Sequence, residues 1–380
     1  MSSGAEGTTM PANKIAELME RAYEQRRPVT AQFELTYKCN LLCSFCYNAP
    51  KERAELDGDG WIEALDKCRA AGSYKVILTG GEPMVHRDFW RIAEAVRARG
   101  MVLKTYTNGV LLADPDKARR YAELAPFDTE ISLHGARAEV HDRLTGIRGS
   151  FDKLLVALGN LAEVGVKVSL KTPITRLNQH ELDAIEALAA RYGASVTFDT
   201  NILPTDDGDT SPFSLAADPD VLAQFFVDKV RRGERTLAPR PVDRMKHNCG
   251  TGRTVVTIDP YGEVYPCIAF RRSMGNIREI DDLDALWQGR DGQRSEVLDY
   301  VRTVADEVPR RTLAPREEGG FASFCPGVAE RETGDPYGYY GAARASGLVK
   351  LRAYRIARGD EPAPDSGTAD KDVAPGSGTA

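Results

Sequence analysis

The chain is organised around the stretch Cys39-Asn40-Leu41-Leu42-Cys43-Ser44-Phe45-Cys46, which directly follows a strand-like run at 31–37. Three thiolates on one tight loop can bind three irons of a 4Fe-4S cluster and leave the fourth iron open to a small molecule. Electron carriers instead close all four irons with protein ligands, so this spacing favours chemistry at the open iron. A zinc site completed by one distant ligand is the alternative.

Short β-rich runs alternate with amphipathic helical runs between residues 31 and 202, which is the pattern of repeated βα units. The six predicted strands lie at 31–37, 74–79, 102–108, 128–134, 166–172 and 195–202, with helical stretches such as 87–99 and 151–164 after them. Parallel strands joined by right-handed helical crossovers curl into a barrel. Six units rather than eight predict an α/β fold with a partial (βα)6 TIM-like barrel.

Several of these strands alternate apolar with polar residues, whereas the interior of a closed eight-stranded barrel is mostly apolar. If the apolar residues pack against the helices, the polar residues face inward and are expected to line a ligand cavity. The inward set includes Glu130, Lys171, Asp199 and Asn201. Asp199 and Lys171 are the candidate catalytic residues, because charged groups at a cavity can act on a substrate.

The second predicted strand ends in Thr79-Gly80-Gly81-Glu82-Pro83. Paired glycines let the backbone approach a ligand closely and turn its carbonyls toward an ammonium group. A cysteine triplet with Phe45 before its last cysteine and Tyr47 after it, followed by this run, resembles the signature of the radical S-adenosylmethionine (SAM) superfamily. The resemblance implies an enzyme in which the open iron of a 4Fe-4S cluster binds SAM, and an electron from the cluster releases a 5′-deoxyadenosyl radical.

The same resemblance implies which residues hold the cluster and SAM. They are Cys39, Cys43 and Cys46 for the iron, and Phe45, Tyr47, Gly80, Gly81, Glu82, Pro83, Asn108, Ser132 and Arg143 for the cofactor. Ser132 is the best ribose contact, with a serine bonded only to backbone as its alternative. Relatives offer the SAM carboxylate an arginine where this chain has Thr145, so that role passes to Arg143, Arg148 or Lys171.

A second cysteine-bearing segment begins at Cys249 and continues into a predicted hairpin, 255–258 and 264–267. The turn Asp259-Pro260-Tyr261-Gly262 suits a type I turn, so the hairpin can bring Cys249 and Cys267 together. This spacing resembles the opening of the SPASM and twitch domains, small α+β modules that hold auxiliary clusters in many radical SAM enzymes. With Cys325 as a third ligand, the resemblance implies one auxiliary 4Fe-4S cluster with either a non-cysteine fourth ligand or an open iron. Three unligated cysteines around an ordinary hairpin are the alternative.

These features predict the division of the chain. It comprises a lead-in at 1–29, the barrel at 30–202, a connecting segment at 203–245, the twitch- or SPASM-like domain at 246–330, a helical extension at 331–360 and a disordered tail at 361–380. Cys68 lies at helical spacing from Ile62 and Leu65, so it is expected to be a buried thiol and not a cluster ligand.

Composition excludes several classes of protein. The 380-residue chain has a formal charge of −6 with mixed signs, which does not suggest a nucleic-acid groove. It has neither a signal-like N-terminus nor an apolar run long enough to span a bilayer, so we expect a cytoplasmic protein without membrane contact. Seven cysteines in such a chain indicate metal ligands or buried thiols rather than disulfides.

The opening phrase at 33–39 and the SPASM-like segment look most like maturases of ribosomally made peptides, which build a crosslink, a thioether or an epimer. That resemblance implies a flavodoxin- or ferredoxin-type electron donor. Because only residues 1–29 precede the barrel, a separate leader-binding protein is expected. The alternatives are a radical SAM dehydrogenase or epimerase of a sugar or aminocyclitol, and a non-enzymatic iron–sulfur scaffold or electron carrier.

Overall fold

The computed structural model describes residues 12–48, 53–241 and 249–363. Eight strands lie in these ranges and form one sheet. They are β1 (Thr30–Thr36), β2 (Lys75–Gly80), β3 (Val102–Thr107), β4 (Asp128–Ser132), β5 (Val168–Pro173), β6 (Ser195–Asp199), β7 (Val255–Ile258) and β8 (Val264–Tyr265).

The described residues also form twelve α-helices, most of them between or after these strands. They are α1 (Ala12–Glu24), α2 (Gly58–Ala70), α3 (Phe89–Ala98), α4 (Pro115–Glu123), α5 (Ala138–Thr145), α6 (Ser150–Glu163), α7 (Leu182–Arg191), α8 (Pro219–Arg231), α9 (Leu283–Gln288), α10 (Glu296–Val308), α11 (Pro326–Thr333) and α12 (Gly341–Arg358). Side-chain caps fix several of the helix starts; Asp57, for example, accepts a hydrogen bond from Gly60 N–H at the start of α2.

Strands β1 to β6 run parallel in the order β6-β5-β4-β3-β2-β1, with helices between successive strands. This sheet confirms the predicted partial barrel, and every observed strand boundary lies within three residues of its prediction. The largest difference is β6, which ends at Asp199 instead of residue 202. Its pairing with β5 stops at that residue, although the polar alternation continues beyond it.

Strand β1 lies inside the sheet, between β2 and β7, and is buried at every position. Its apolar residues Phe33 and Leu35 join the core that includes Trp61 of α2, with ring centroids of Phe33 and Trp61 5.0 Å apart. Glu34 therefore points to the opposite face and is also fully buried. Cys68 lies in the same core without exposed surface, as its helical spacing predicts.

The second cysteine-bearing segment is part of the barrel sheet. Strand β7 pairs in parallel with β1, with Thr30 opposite Val255 and Phe33 opposite Ile258, and β8 pairs antiparallel with β7. The hairpin itself was predicted from its turn residues, but its pairing with β1 was not. This pairing puts the second cysteine segment beside the strand that leads into the first. Across the described ranges, no helix has the length and apolarity needed to span a bilayer.

Candidate active site

The cysteine loop, defined here as residues 39–46, follows β1 and docks on the end of α5. Leu42 N–H donates to the Thr145 carbonyl at 2.8 Å, and Ser44 N–H donates to the Leu144 carbonyl at 3.0 Å. These carbonyls belong to the last turn of α5, which has no further helical donors to satisfy them. The end of a helix thus holds the loop in place through backbone bonds.

The loop also contacts the ends of β2 and β3. Asn108, just after β3, donates its side-chain amide to Asn40 Oδ1 at 2.7 Å and lies 3.8 Å from the Cys39 sulfur. Glu82 N–H, just after β2, donates to the Lys38 carbonyl at 2.9 Å. The three predicted cluster ligands are therefore carried at the carboxyl edge of the parallel sheet, where barrel enzymes place their sites.

The paired glycines are needed because the turn after β2 packs directly on the backbone that enters the cysteine loop. A Cβ on Gly80 would lie 2.3 Å from the Thr36 carbonyl oxygen, and a Cβ on Gly81 would lie 2.4 Å from that of Lys38. Gly80 also has a φ of 129°, which side chains disfavour. In the structure the glycines thus serve a close approach of two backbone segments, in addition to the cofactor contact that the sequence predicts.

We expect Gly81→Ala to displace the cysteine loop, because its new methyl group meets backbone that cannot rotate away. The free energy of unfolding should fall by roughly 1–3 kcal/mol, as for other overpacked sites, and iron binding to the first cysteine group should weaken. Gly159→Ala is the matched control, since a Cβ there meets nothing within 4 Å in the middle of α6. The control should be neutral or stabilising in thermal unfolding, and equal behaviour of the two variants would contradict the packing argument.

Glu82 is fully buried, and its carboxylate accepts hydrogen bonds from Thr107 Oγ1 at 2.8 Å, Asn108 N–H at 2.8 Å and Met84 N–H at 3.1 Å. Burial raises the pKa of this carboxyl to about 7, and these donors oppose the rise. Its bonds join the turn after β2 to the end of β3. Pro83, which follows it, is buried and begins one turn of 3₁₀ helix.

Phe45 packs edge-on against His134, with ring centroids 4.9 Å apart. Burial lowers the pKa of His134 to about 3, so this imidazole is neutral, and its Nδ1 has no hydrogen-bond partner among the residues that the structure describes.

Two further predicted cofactor residues, Tyr47 and Ser132, have different surroundings. The Tyr47 carbonyl accepts a hydrogen bond from Asp206 N–H at 2.7 Å. Ser132 is half-buried at the end of β4, opposite Lys171 of β5.

The three candidates for the SAM carboxylate occupy different places. Arg143 and Arg148 are exposed, on α5 and just beyond it, whereas Lys171 lies on β5 at the carboxyl edge of the sheet. Thr145, which replaces the relatives' arginine, is fully buried and hydrogen-bonds Ser150 Oγ at 2.7 Å. Of the three cations, Lys171 is the one placed at the strand ends.

Lys171 and Asp199, the predicted catalytic pair, lie on neighbouring strands with their charged groups 3.4 Å apart. Glu130 is also paired, with Lys104 at 3.2 Å. Several inward charges of the barrel thus neutralise one another, although the Lys171 and Asp199 side chains remain 37% and 42% exposed. Asn201 Oδ1 is buried without a partner among the described residues, and this leaves an acceptor available near Asp199.

The thiols of the cysteine loop suit a bound cationic cluster. Burial and the neighbouring Cys46 and Cys39 thiolates together raise the pKa of Cys43 to about 12. A cluster iron supplies the positive charge that lowers such a pKa. Within the described ranges no three His, Cys, Asp or Glu side chains converge on a single metal ion. In a cluster each thiolate binds its own iron, so the ligands need not converge on one point.

The second cysteine group comprises Cys249, Cys267 and Cys325, and Cys249 and Cys325 line the same cavity. Burial and the neighbouring Cys267 and Cys325 thiolates together raise the pKa of Cys249 to about 12. Thr251 Oγ1 donates to the Cys267 sulfur at 3.4 Å. Cys325 caps α11, whose Gly327 packs so closely on the loop after Cys267 that a Cβ would lie 2.6 Å from the Ala269 carbonyl oxygen. This donor set fits an auxiliary cluster.

Charged pairs that sequence patterns did not reveal link the two cysteine groups. Arg271, four residues after Cys267, makes two 2.7 Å bonds to the fully buried Glu34 of β1. Asp206 N–H donates to the carbonyl of Tyr47, the residue after Cys46. The Asp206 carboxylate forms an ion pair with Arg331 of α11 at 3.2 Å. None of these four residues belongs to a sequence motif that predicts its partner. Only their proximity in the folded chain identifies them.

Two family models match the chain. Residues 33–190 match the radical SAM superfamily, and residues 249–309 match SPASM, an iron–sulfur cluster-binding domain. The first range contains the cysteine loop and the paired glycines. The second contains Cys249 and Cys267.

Relatives support the same assignment. Mycofactocin maturase MftC of Mycobacterium tuberculosis is 35% identical over 273 residues, which are 68% of each chain. The AdoMet-dependent heme synthase of Methanosarcina barkeri is 26% identical over 66% of this chain and 80% of its own. Streptococcus suis SuiB, solved with its precursor peptide SuiA, shares the fold at a TM-score of 0.59 and 17% identity, over 80% of this chain and 75% of SuiB. The chain therefore belongs to the radical SAM superfamily, among the members that carry a SPASM-type iron–sulfur domain.

Proposed function

We propose that this radical SAM enzyme matures a ribosomally synthesised peptide by removing a hydrogen atom from it, with a crosslink, a thioether or an epimer as the product. The observation that carries the proposal is the 35% identity to a mycofactocin maturase across 68% of each chain. The likeness of fold to SuiB, which binds a precursor peptide, is consistent with it.

The reduced 4Fe-4S cluster of such enzymes supplies the electron that converts SAM to a 5′-deoxyadenosyl radical. In this chain Cys39, Cys43 and Cys46 would hold that cluster, and the carbonyls of the paired glycines would receive the SAM amino group. Asn108 and Ser132 lie at neighbouring strand ends, where they would contact the rest of the cofactor. The cofactor would thus lie across the carboxyl edge of β2 to β4.

The substrate would occupy a cavity of about 410 Å³ between the end of β6 and the second cysteine group. Asp199 lines this cavity and is paired with Lys171. We assign these two residues to the substrate side of the reaction, where they would orient the reacting group and hold a proton near it. Cys249, Cys267 and Cys325 would hold one auxiliary 4Fe-4S cluster at the opposite wall.

A flavodoxin- or ferredoxin-type donor would supply electrons, and a separate leader-binding protein would present the peptide in the cytoplasm. The test begins with a short precursor-peptide reading frame beside the gene. SAM cleavage by the reduced enzyme should then increase when that peptide is added, and mass spectrometry should find a changed peptide mass. Turnover of a sugar or aminocyclitol with no change in any peptide would overturn the proposal.

Changing Cys249, Cys267 and Cys325 together to Ala should remove about half of the iron, since one of two 4Fe-4S clusters is lost. Reductive SAM cleavage should remain measurable because the cysteine loop is untouched, while modified peptide should disappear. Iron analysis, 5′-deoxyadenosine formation and peptide mass are the three measurements. Full iron content together with normal product would show that these cysteines neither bind a cluster nor take part in the reaction.

A further inference from the structure

The cavity between β6 and the second cysteine group has a polar wall that the reaction outlined above leaves unexplained. Its lining includes Asp199, Asn201, Arg240, Ser323, Cys249 and Cys325. Directly behind Ser323 lies Lys350 of α12, whose Nζ is 2.6 Å from the Ser323 hydroxyl oxygen. A serine on the cavity wall is thus held by a lysine from a helix that carries none of the cysteines.

Lys350 is only 8% exposed. No carboxylate among the residues that the structure describes lies within ion-pair distance of its Nζ. The ring centroid of Phe226 is 5.8 Å from this nitrogen. A buried ammonium without a counter-ion is costly, and lysines are almost never this buried unless they are paired. Its burial therefore points to a negative partner that the described residues do not provide.

Other cations surround the same wall. Burial, together with the nearby Arg235 and Arg240, lowers the pKa of Lys350 to about 8, and Asp199 opposes this fall. At neutral pH the ammonium is still mostly protonated. Asp199 is already paired with Lys171, and Arg240 bonds the Ala322 carbonyl at 2.7 Å without an acidic partner in the described ranges. The wall at Ser323 consequently has an excess of positive charge.

We propose that Lys350, held against Ser323, and Arg240 form a subsite that binds a carboxylate of the peptide substrate at the second-cysteine end of the cavity. This inference rests on the proposed peptide-modifying function and adds a chemical group that the substrate must carry. Arg240 and the Ser323 hydroxyl line the cavity and can donate hydrogen bonds to a carboxylate, and the Lys350 ammonium behind Ser323 adds a positive charge. That group is either the C-terminus of the peptide or the side chain of an Asp or Glu residue, because both carry a carboxylate.

The test measures binding of three short peptides to the anaerobically reconstituted full chain by calorimetry. The probes are N-acetyl-trialanine with a free C-terminus, its C-terminal amide, and N-acetyl-Ala-Asp-Ala amide. Wild type should bind at least one of the two carboxylate peptides about tenfold more tightly than the neutral amide, a factor in the range of one charged hydrogen bond. The preferred acid identifies the source of the carboxylate.

Lys350→Met should abolish this preference, and Lys350→Arg should retain most of it. Arg344→Met removes a cation from the exposed face of the same helix and should leave the preference unchanged. If Lys350→Met does not fold, Ser323→Ala takes its place, because it removes the hydroxyl that holds the ammonium, and it should show the same loss.

Equal binding of acids and amide by wild type, or an undiminished preference in the Lys350→Met or Ser323→Ala variant, would overturn the subsite. A changed auxiliary-cluster resonance spectrum in Lys350→Met with unaltered peptide preference would assign the cations to the cluster instead, and would also overturn it. The binding assay needs no turnover. A failure of the proposed function would appear separately, as SAM cleavage that no peptide stimulates.

Discussion

Replacing Cys39, Cys43 and Cys46 together by Ala should eliminate SAM cleavage and remove about half of roughly eight irons per chain, the content of two 4Fe-4S clusters. The loop itself should stay in place, because its bonds to α5 and to the turn after β2 use backbone atoms that the substitutions do not alter. The loss should therefore be specific to the cluster. Iron analysis and 5′-deoxyadenosine formation under anaerobic reduction measure it.

Cys68→Ala is the matched control for this triple variant. Its thiol is buried in the apolar core and contacts neither cysteine group, so iron content and SAM cleavage should be normal. The fold of the triple variant can be followed by fluorescence of the buried Trp61 and Trp287. SAM cleavage that persisted in a folded triple variant would remove the cysteine loop from the chemistry.

Arg271→Met should be the most destabilising single substitution between the two cysteine groups. It leaves the fully buried Glu34 carboxylate without its bidentate partner; among the described residues, the Tyr37 hydroxyl at 3.2 Å still donates to it. Removing one member of a buried ion pair typically costs about 3–5 kcal/mol. Chemical denaturation of the reconstituted protein, followed by tryptophan fluorescence, measures the change in the free energy of unfolding.

The adjacent Arg272 provides the control. It pairs with Glu330 but is about half exposed, at 48% of its side chain, so Arg272→Met should cost about 1 kcal/mol or less. The double variant Glu34→Leu/Arg271→Met should recover much of the lost stability, because a buried ion pair can often be replaced by apolar side chains at little cost. Equal losses for Arg271→Met and Arg272→Met, or no recovery in the double variant, would contradict a buried, strongly coupled pair.

The sequence was sufficient to predict the parallel strands, the position of the cysteine loop after β1 and the turn of paired glycines after β2. Each of these is encoded by residues that lie close together in the chain. Alternation with a period of two identifies a strand, and amphipathic spacing identifies a helix. The spacing of Cys39, Cys43 and Cys46 identifies a cluster loop without knowledge of its neighbours. The hairpin between Cys249 and Cys267 was predictable for the same reason.

Contacts between distant segments were decided by the tertiary structure alone. Glu34 and Arg271 are 237 residues apart in the sequence. Ser323 precedes α11 in the sequence and Lys350 follows it, yet the two side chains are hydrogen-bonded. The residues around a buried carboxylate in β1 do not indicate which cation pairs with it, because the counter-ion depends on which strand lies next to β1. The pairing of β7 with β1 supplies that neighbour. Only the packed sheet determined that the Glu34 carboxylate serves the junction between the two cysteine groups.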